Sequence, residues 1–461
     1  MNFTLLTDSY KVSHSQMYPK GTEIVYSYFE SREGAKWDKT VFFGLQSIIK
    51  KYLVGEVFTA KDITDGQKII EAHLGPVAAT EYFRKWARLL QKHGGYLPVR
   101  IKAVAEGTVV DVSNILMSVE NTDPEFPWLT NHLETLLTHV WYPSTVATKS
   151  WAVKQIIKKY LNETCDSGEK FPGINFMLHD FGMRGVSSME AAGIGGLGHL
   201  VNFLGTDTLA AIEEAIKYYG AHPEEVAFSV PATEHSVMTS LGRDGECEII
   251  GKLLDTYPTG ILSIVSDSYD IYNCISEYYG KVWKDKILAR DGKLVVRPDS
   301  GDPIETTVQC LRLLDQAFGS TVNKKGYKIL HPKIGLLWGD GIDIEGIEAI
   351  LVAMAKEGWS AENIVFGMGG GLLQKLNRDT QRFAFKCSAQ KRNGEWFNVY
   401  KEPRDTTKTS KRGKLTLIKD NGKFKTVTDF TGGVYLNTVF ENGVMVKDWT
   451  LKEIREAVDK E

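Results

Sequence analysis

Leu294–Phe318 reads LVVRPDSGDPIETTVQCLRLLDQAF. Three apolar residues give way to a polar, glycine-bearing turn, and Pro303 then opens a stretch whose apolar side chains recur at helical spacing. The segment predicts a buried strand, a loop and a helix, which is the repeating unit of a parallel sheet. The same order recurs from about residue 172 to 388. The predicted strands are Ile174–Leu178, Val226–Phe228, Ile261–Val265, Leu294–Val296, Ile334–Trp338, Ile364–Phe366 and Phe383–Phe385. Helices are predicted over Thr208–Tyr219, Pro303–Phe318 and Asp343–Lys356. So many consecutive units favour an irregular parallel (β/α) barrel, with a doubly wound open sheet as the alternative.

The flanks differ. Arg100–Val112 and Trp396–Lys425 carry alternating or β-branched runs broken by Gly, Asp and Asn turns, as antiparallel strands do. Helices are expected near Thr59–Ala72 and Thr130–Leu161. The chain therefore reads as α/β. Residues 1–150 begin a mixed β-rich domain, 151–388 form the barrel, and 389–461 complete the β-rich domain, which is discontinuous and built from both chain ends.

Composition acts mainly by exclusion. The 461 residues carry a net charge of −3, which gives no global attraction to nucleic acid or to acidic membranes. The five cysteines are scattered and form no C-x-x-C, which argues against a disulfide framework or a zinc ribbon. No apolar run approaches the roughly 20 residues that span a bilayer. Met1–Lys11 has no basic segment followed by an apolar stretch. A cytoplasmic protein without membrane or nucleic-acid partners is expected.

In parallel α/β folds ligands bind at the carboxyl ends of the strands. The predicted strands lead into HDFGMRG (His179–Gly185), SVPATEHS (Ser229–Ser236), SDSYD (Ser266–Asp270), RPDSGD (Arg297–Asp302), GDG (Gly339–Gly341) and GMGGG (Gly367–Gly371). Asp267, Asp299 and Asp340 are hard oxygen ligands suited to Mg²⁺ or to sugar hydroxyls. Arg184 and Arg297 can fork onto phosphate, and the glycine-rich turn presents amides to an anion. A phosphorylated sugar carried with a divalent cation suits this set. His235, beside Glu234 and Ser236, can titrate or accept a phosphoryl group. Gly193–Gly198 matches G-x-G-x-x-G by letter but follows no strand, so close helix packing is the preferred reading. Lys401–Lys414 is a basic stretch without aromatics, better suited to phosphate than to stacked bases.

Together these segments resemble the nicotinamide phosphoribosyltransferases, which are type II phosphoribosyltransferases. The likeness runs from TDSYKVSH at Thr7–His14 and YSYFESR at Tyr26–Arg32, through the strand-end motifs, to FGMGGGLLQK at Phe366–Lys375. It implies transfer of the phosphoribosyl group of 5-phosphoribosyl-1-pyrophosphate to nicotinamide, giving nicotinamide mononucleotide and pyrophosphate in NAD salvage. It also implies a homodimer with shared sites, Mg²⁺ as cofactor and ATP as activating co-substrate. By that resemblance Phe181 and Tyr10 of the partner subunit sandwich the pyridine ring, and Asp207 accepts from the carboxamide. Arg184 and Ser229 join the substrate contacts, and Gly339, Asp340 and Asp299 hold ribose hydroxyls. Asp267 and Asp299 lie where Mg²⁺ is held, and Arg297 pairs with phosphate. Gly370 and Gly371 cradle the 5′-phosphate with Arg32, Arg378 and Lys386 of the partner subunit, while Lys401 and Lys408 lie near the pyrophosphate. His235 matches a histidine whose phosphorylation couples ATP hydrolysis to turnover. Met183 and Ala384 depart from the family pattern, where Tyr and Ser are expected. The alternatives are a nicotinate phosphoribosyltransferase and a Mg²⁺-dependent barrel phosphohydrolase.

Overall fold

The computed structural model describes residues 1–402, 410–428 and 435–460. The chain divides into two compact units, one of Met1–Thr148, Glu214–Ala221 and Leu376–Glu461, the other of Lys149–Glu213 and His222–Lys375.

The second unit holds the parallel sheet. Its strands are β1 (Leu178–Asp180), β2 (Gly205–Thr206), β3 (Thr259–Val265), β4 (Asp291–Arg297), β5 (Ile334–Trp338) and β6 (Ile364–Met368), in the spatial order β2-β1-β6-β5-β4-β3. All pair in parallel. The stretch after Ala227 joins the two edge strands. Phe228 bridges Gly205 and Ala232 bridges Ser263, and the Val265 amide donates to Thr233 Oγ1 at 2.9 Å. The curled sheet thereby closes on itself. Apolar runs without alternation make sense here, because the strands are covered on both faces; β5 is buried throughout.

Local chemistry sets the helix starts. Asp302 accepts from the amides of Ile304 and Glu305 and caps Pro303–Phe318, while Asp343 caps Ile344–Lys356 by accepting from Gly346. The glycine-rich Gly193–Gly198 lies inside the helix Met189–Leu200. A β-carbon on Gly196 would fall 2.9 Å from the Ala211 side chain and 3.0 Å from Asp180, so Gly196 serves close packing.

Three predicted strands need correction. Ile174–Phe176 is a 3₁₀ turn and β1 begins only at Leu178. Pro223–Val226 is a short helix opened by its proline, which leaves Phe228 a single bridge. Phe383–Phe385 is no barrel strand. Ala384–Arg392 pairs antiparallel with Thr22–Glu30 in the first unit.

That unit is built on a seven-stranded sheet, ordered Glu395–Asn398, Ala384–Arg392, Thr22–Glu30, Ile115–Asn121, Val99–Ala103, Asn437–Glu441 and Val444–Met445. Both chain ends meet in it. Phe3, Trp86, Trp128 and His132 interlock edge-on or tilted in an aromatic core. Among the described residues, no helix is long and apolar enough to cross a membrane.

Candidate active site

The carboxyl ends of β3 and β4 lie in register, with Val265 opposite Arg297. The turns that follow therefore share one layer. Asp267 is nearly enclosed there: its Oδ2 accepts from the Asp299 amide at 3.1 Å and from the Ser300 hydroxyl, and its Oδ1 meets His235 Nε2 at 3.1 Å. A carboxylate at Nε2 favours the tautomer with the proton on that nitrogen and leaves the lone pair on Nδ1. That second nitrogen stands 3.9 Å from Asp299 Oδ2. Arg297 donates from Nη2 to the Thr233 carbonyl at 3.0 Å, and its buried Nε makes no hydrogen bond, with Asp299 Oδ1 3.8 Å away. His235, Asp267, Arg297 and Asp299, each expected from the sequence, thus form one cluster. Ser300 and Thr233 belong to it as well. Their signal was position alone, each sitting one or two residues from an expected side chain.

Beside the cluster the barrel encloses a cavity of about 440 Å³, lined at one end by Phe181, Asp207, Ser229 and Arg297. It continues to Lys293, Glu362 and Asn363. Lys293 precedes Arg297 by four positions on β4, about 13 Å at the usual rise per strand residue. The walls between are mostly apolar, including Phe176, Phe228, Ile261 and Val295. Burial holds the Lys293 ammonium below the ordinary lysine range, with Glu362 opposing.

Phe181 reaches the cavity because two glycines make room. A β-carbon on Gly367 would lie 2.0 Å from its ring, and one on Gly339 would lie 3.2 Å away. Asp207 follows β2; its amide donates to the Asp180 carbonyl at 2.9 Å and its Oδ1 accepts from Ser229 Oγ at 2.5 Å. Phe181 and the Asp207 carboxylate thus face one slot at this end of the cavity.

The remaining expected groups of this unit ring the same strand ends. Arg184 lies exposed in a 3₁₀ turn, Met183–Gly185, and a β-carbon on Gly185 would come 3.5 Å from Gly370. Gly370 and Gly371 open a four-residue helix, Gly370–Leu373, whose first amides lack helical acceptors. Lys149, which sequence reasoning passed over, donates to the Gly371 carbonyl. Asp340 is exposed after β5, and its carbonyl accepts from Trp338 Nε1 at 2.8 Å.

Tyr10, Arg32, Arg378, Lys386 and Lys401 belong to the first unit, and Lys408 lies outside the described residues. Tyr10 is 59% exposed. Lys386 sits opposite Tyr28 in the antiparallel sheet, and its Nζ is buried without a hydrogen bond. Burial pushes its pKa down; Glu30 opposes this, while Arg32, Lys401 and Lys411 reinforce it. Lys411 pairs with Glu30. Four cations and one carboxylate thus influence one another, a set for which an anion is the natural counterpart. Arg32 donates from Nε to the Arg382 carbonyl at 3.0 Å, and Arg378 is exposed.

Residues 176–444 match the model of the nicotinate phosphoribosyltransferase (NAPRTase) family, and residues 2–101 match the nicotinamide phosphoribosyltransferase N-terminal domain. The chain belongs to the nicotinate phosphoribosyltransferase family. Within it, the chain is 46% identical to a nicotinamide phosphoribosyltransferase of Xanthomonas campestris, over 99% of this chain and 98% of the relative. An enzyme of the same name from Acinetobacter baylyi is 36% identical over 97% and 95%. Two crystal structures share the phosphoribosyltransferase fold. Nicotinate-nucleotide pyrophosphorylase of Pyrococcus furiosus has a TM-score of 0.59 and 14% identity, covering 100% of this chain and 95% of that one. Human nicotinic acid phosphoribosyltransferase has 0.56 and 15%, covering 99% and 93%.

Proposed function

We propose that this phosphoribosyltransferase acts in NAD salvage, joining nicotinamide to the phosphoribosyl group of 5-phosphoribosyl-1-pyrophosphate. The pyridine nitrogen attacks the anomeric carbon, the bond from that carbon to pyrophosphate breaks, and nicotinamide mononucleotide and pyrophosphate leave. The observation that carries the choice of pyridine is Asp207, a carboxylate at the rim of the slot that holds Phe181. It suits a carboxamide N–H and repels the carboxylate of nicotinate. The names of the two bacterial relatives point the same way.

No general base is required, because the pyridine nitrogen already carries its lone pair. The chain's work is to hold the ring in line and to neutralise the departing pyrophosphate. Phe181, with Tyr10 of the partner subunit, sandwiches the ring. Arg297 and Arg184 meet anionic oxygens, and Gly339, Asp340 and Asp299 receive the ribose. Gly370 and Gly371 cradle the 5′-phosphate. In a homodimer with shared sites, Arg32, Arg378 and Lys386 come from the partner subunit, and Lys401 and Lys408 lie near the pyrophosphate.

The acidic pair fits Mg²⁺. Both oxygens of Asp267 are engaged, whereas Asp299 has only ion-pair contacts at 3.8 and 3.9 Å and is available as a ligand. Mg²⁺ typically takes one or two carboxylates and completes its shell with water and substrate phosphate. Among the described residues, no group of three or more His, Cys, Asp or Glu makes a fuller cage. Asp299, with Asp267 beside it, would hold the ion, which would supply charge neutralisation for the pyrophosphate leaving group. His235 Nδ1 attacks the γ-phosphorus of ATP, the bond from that phosphorus to the bridging oxygen breaks and ADP leaves; the phosphorylated His235 adds negative charge beside Asp299.

The deciding experiment incubates the full-length protein with phosphoribosyl pyrophosphate and Mg²⁺ plus either nicotinamide or nicotinate, with and without ATP. Nicotinamide mononucleotide as the main product, raised by ATP, is expected. Nicotinate mononucleotide alone would overturn the pyridine assignment, and an ATP-independent rate would overturn the role of His235.

A further inference from the structure

The strand end that presents Phe181 also carries a carboxylate to which none of the roles above is given. Asp180, the last residue of β1, is 0% exposed. It pairs with Met368 of β6 on one side and with Thr206 of β2 on the other. Its Oδ1 accepts from the Gly182 amide at 2.7 Å, closing a side-chain-to-backbone turn around Phe181. The Thr208 and Thr206 hydroxyls lie near enough to favour its charged form, although neither Asp180 Oδ2 nor Thr208 Oγ1 makes a well-formed hydrogen bond. A β-carbon on Gly196 would stand 3.0 Å from Asp180 Oδ2 and 3.1 Å from Thr208, which places all three together. The Asp180 carbonyl takes the Asp207 amide.

One residue therefore touches both halves of the slot, the turn bearing Phe181 and the segment bearing Asp207. A buried charge is costly to keep, and burial pushes this carboxyl up to about 6. An apolar residue would suit the same space if packing were all that mattered.

We propose that Asp180 is a positioning residue for the pyridine end of the cavity, its carboxylate holding the turn that bears Phe181 and reaching the threonines on either side of Asp207. The inference rests on reading that cavity as the pyridine site. It gives Asp180 no contact with substrate.

The test compares wild type, Asp180→Ala, Asp180→Asn and Thr208→Val as full-length proteins. The readouts are kcat, KM for each pyridine, KM for phosphoribosyl pyrophosphate, and Tm. Asp180→Ala is expected to raise the pyridine KM by roughly ten-fold while phosphoribosyl pyrophosphate KM stays within about two-fold. Asp180→Asn, which keeps an acceptor for Gly182, restores most of the loss. Thr208→Val preserves shape, so it keeps the question open to measurement if the alanine variant does not fold; it should raise the pyridine KM by about three-fold. An unchanged pyridine KM, or parallel rises in both KM values, would overturn the proposal. Failure of wild type to use nicotinamide would overturn the activity instead, and the shift measured with whichever pyridine it does use still decides Asp180.

Discussion

Asp207 and Ser229 share a 2.5 Å hydrogen bond, so one carboxylate oxygen is oriented before any ligand arrives, and the proposed function gives the other to the carboxamide. Removing the charge while keeping the shape isolates its part in selectivity. Asp207→Asn should lower the nicotinamide-to-nicotinate ratio of kcat/KM by about ten-fold or more, because a charge-assisted bond becomes neutral and a repulsion disappears. An unchanged ratio counts against the role. Gly367 makes the complementary case for space. With a β-carbon 2.0 Å from the Phe181 ring, Gly367→Ala must displace the ring. Overpacking of this kind costs about 1–3 kcal/mol, and a misplaced platform should lower nicotinamide kcat/KM by about 10²-fold. Calorimetry and steady-state kinetics on one preparation separate the two effects. Phe181 was singled out by its place in a strand-end turn and Asp207 by the family resemblance, and both line one cavity. Gly367 stood in a quoted motif, but its purpose required knowing which ring lay over it.

The helices that follow the barrel strands were legible because their starts are written in local chemistry. Asp302-Pro303 gives a side-chain acceptor followed by a residue that needs no amide partner. The observed helix, Pro303–Phe318, coincides with the predicted one. Asp302→Ala leaves two amides uncapped at the end of the RPDSGD turn and should cost about 1 kcal/mol, or about 2–4 °C in Tm. Asp302→Asn should sit close to wild type. Equal melting of all three proteins would remove the cap from the account. Short strands were less legible for a physical reason: three apolar residues do not say who pairs with them. Phe383 finds its partner in Phe29, stacked at 5.0 Å between ring centres, and no local pattern encodes a contact so distant in sequence. At Val226–Phe228 the upstream Pro223 favoured a helical turn over the apolar run.

Across the whole chain, the contribution of both ends to one unit was readable, but the return of Glu214–Ala221 to that unit was not. A buried polar hub explains it. Glu106 accepts from the Gln46 amide at 2.6 Å and from the Tyr219 hydroxyl at 2.9 Å. Gln46 donates from Nε2 to the carbonyls of Tyr218 at 2.8 Å and Trp449 at 2.9 Å. All three stretches of the unit are thereby tied at one point, by groups that look in the sequence like any surface Glu, Gln or Tyr. The hub has a signature in pH. Burial raises the Glu106 carboxyl from 4.5 to about 7, although the amides of Gln46, Gly44 and Leu45 and the Tyr219 hydroxyl pull the other way. Between those values the folded chain holds a proton that the unfolded chain has released. The contribution is therefore complete below about 4.5 and is lost as pH rises through about 7, on the order of 3 kcal/mol at most. Glu106→Gln keeps an acceptor and removes the titration. Its Tm relative to wild type should climb from pH 5 to about pH 7 and level off above that in scanning calorimetry. Parallel curves would mean that Glu106 carries the same proton in both states and would remove the titration from the account of the hub.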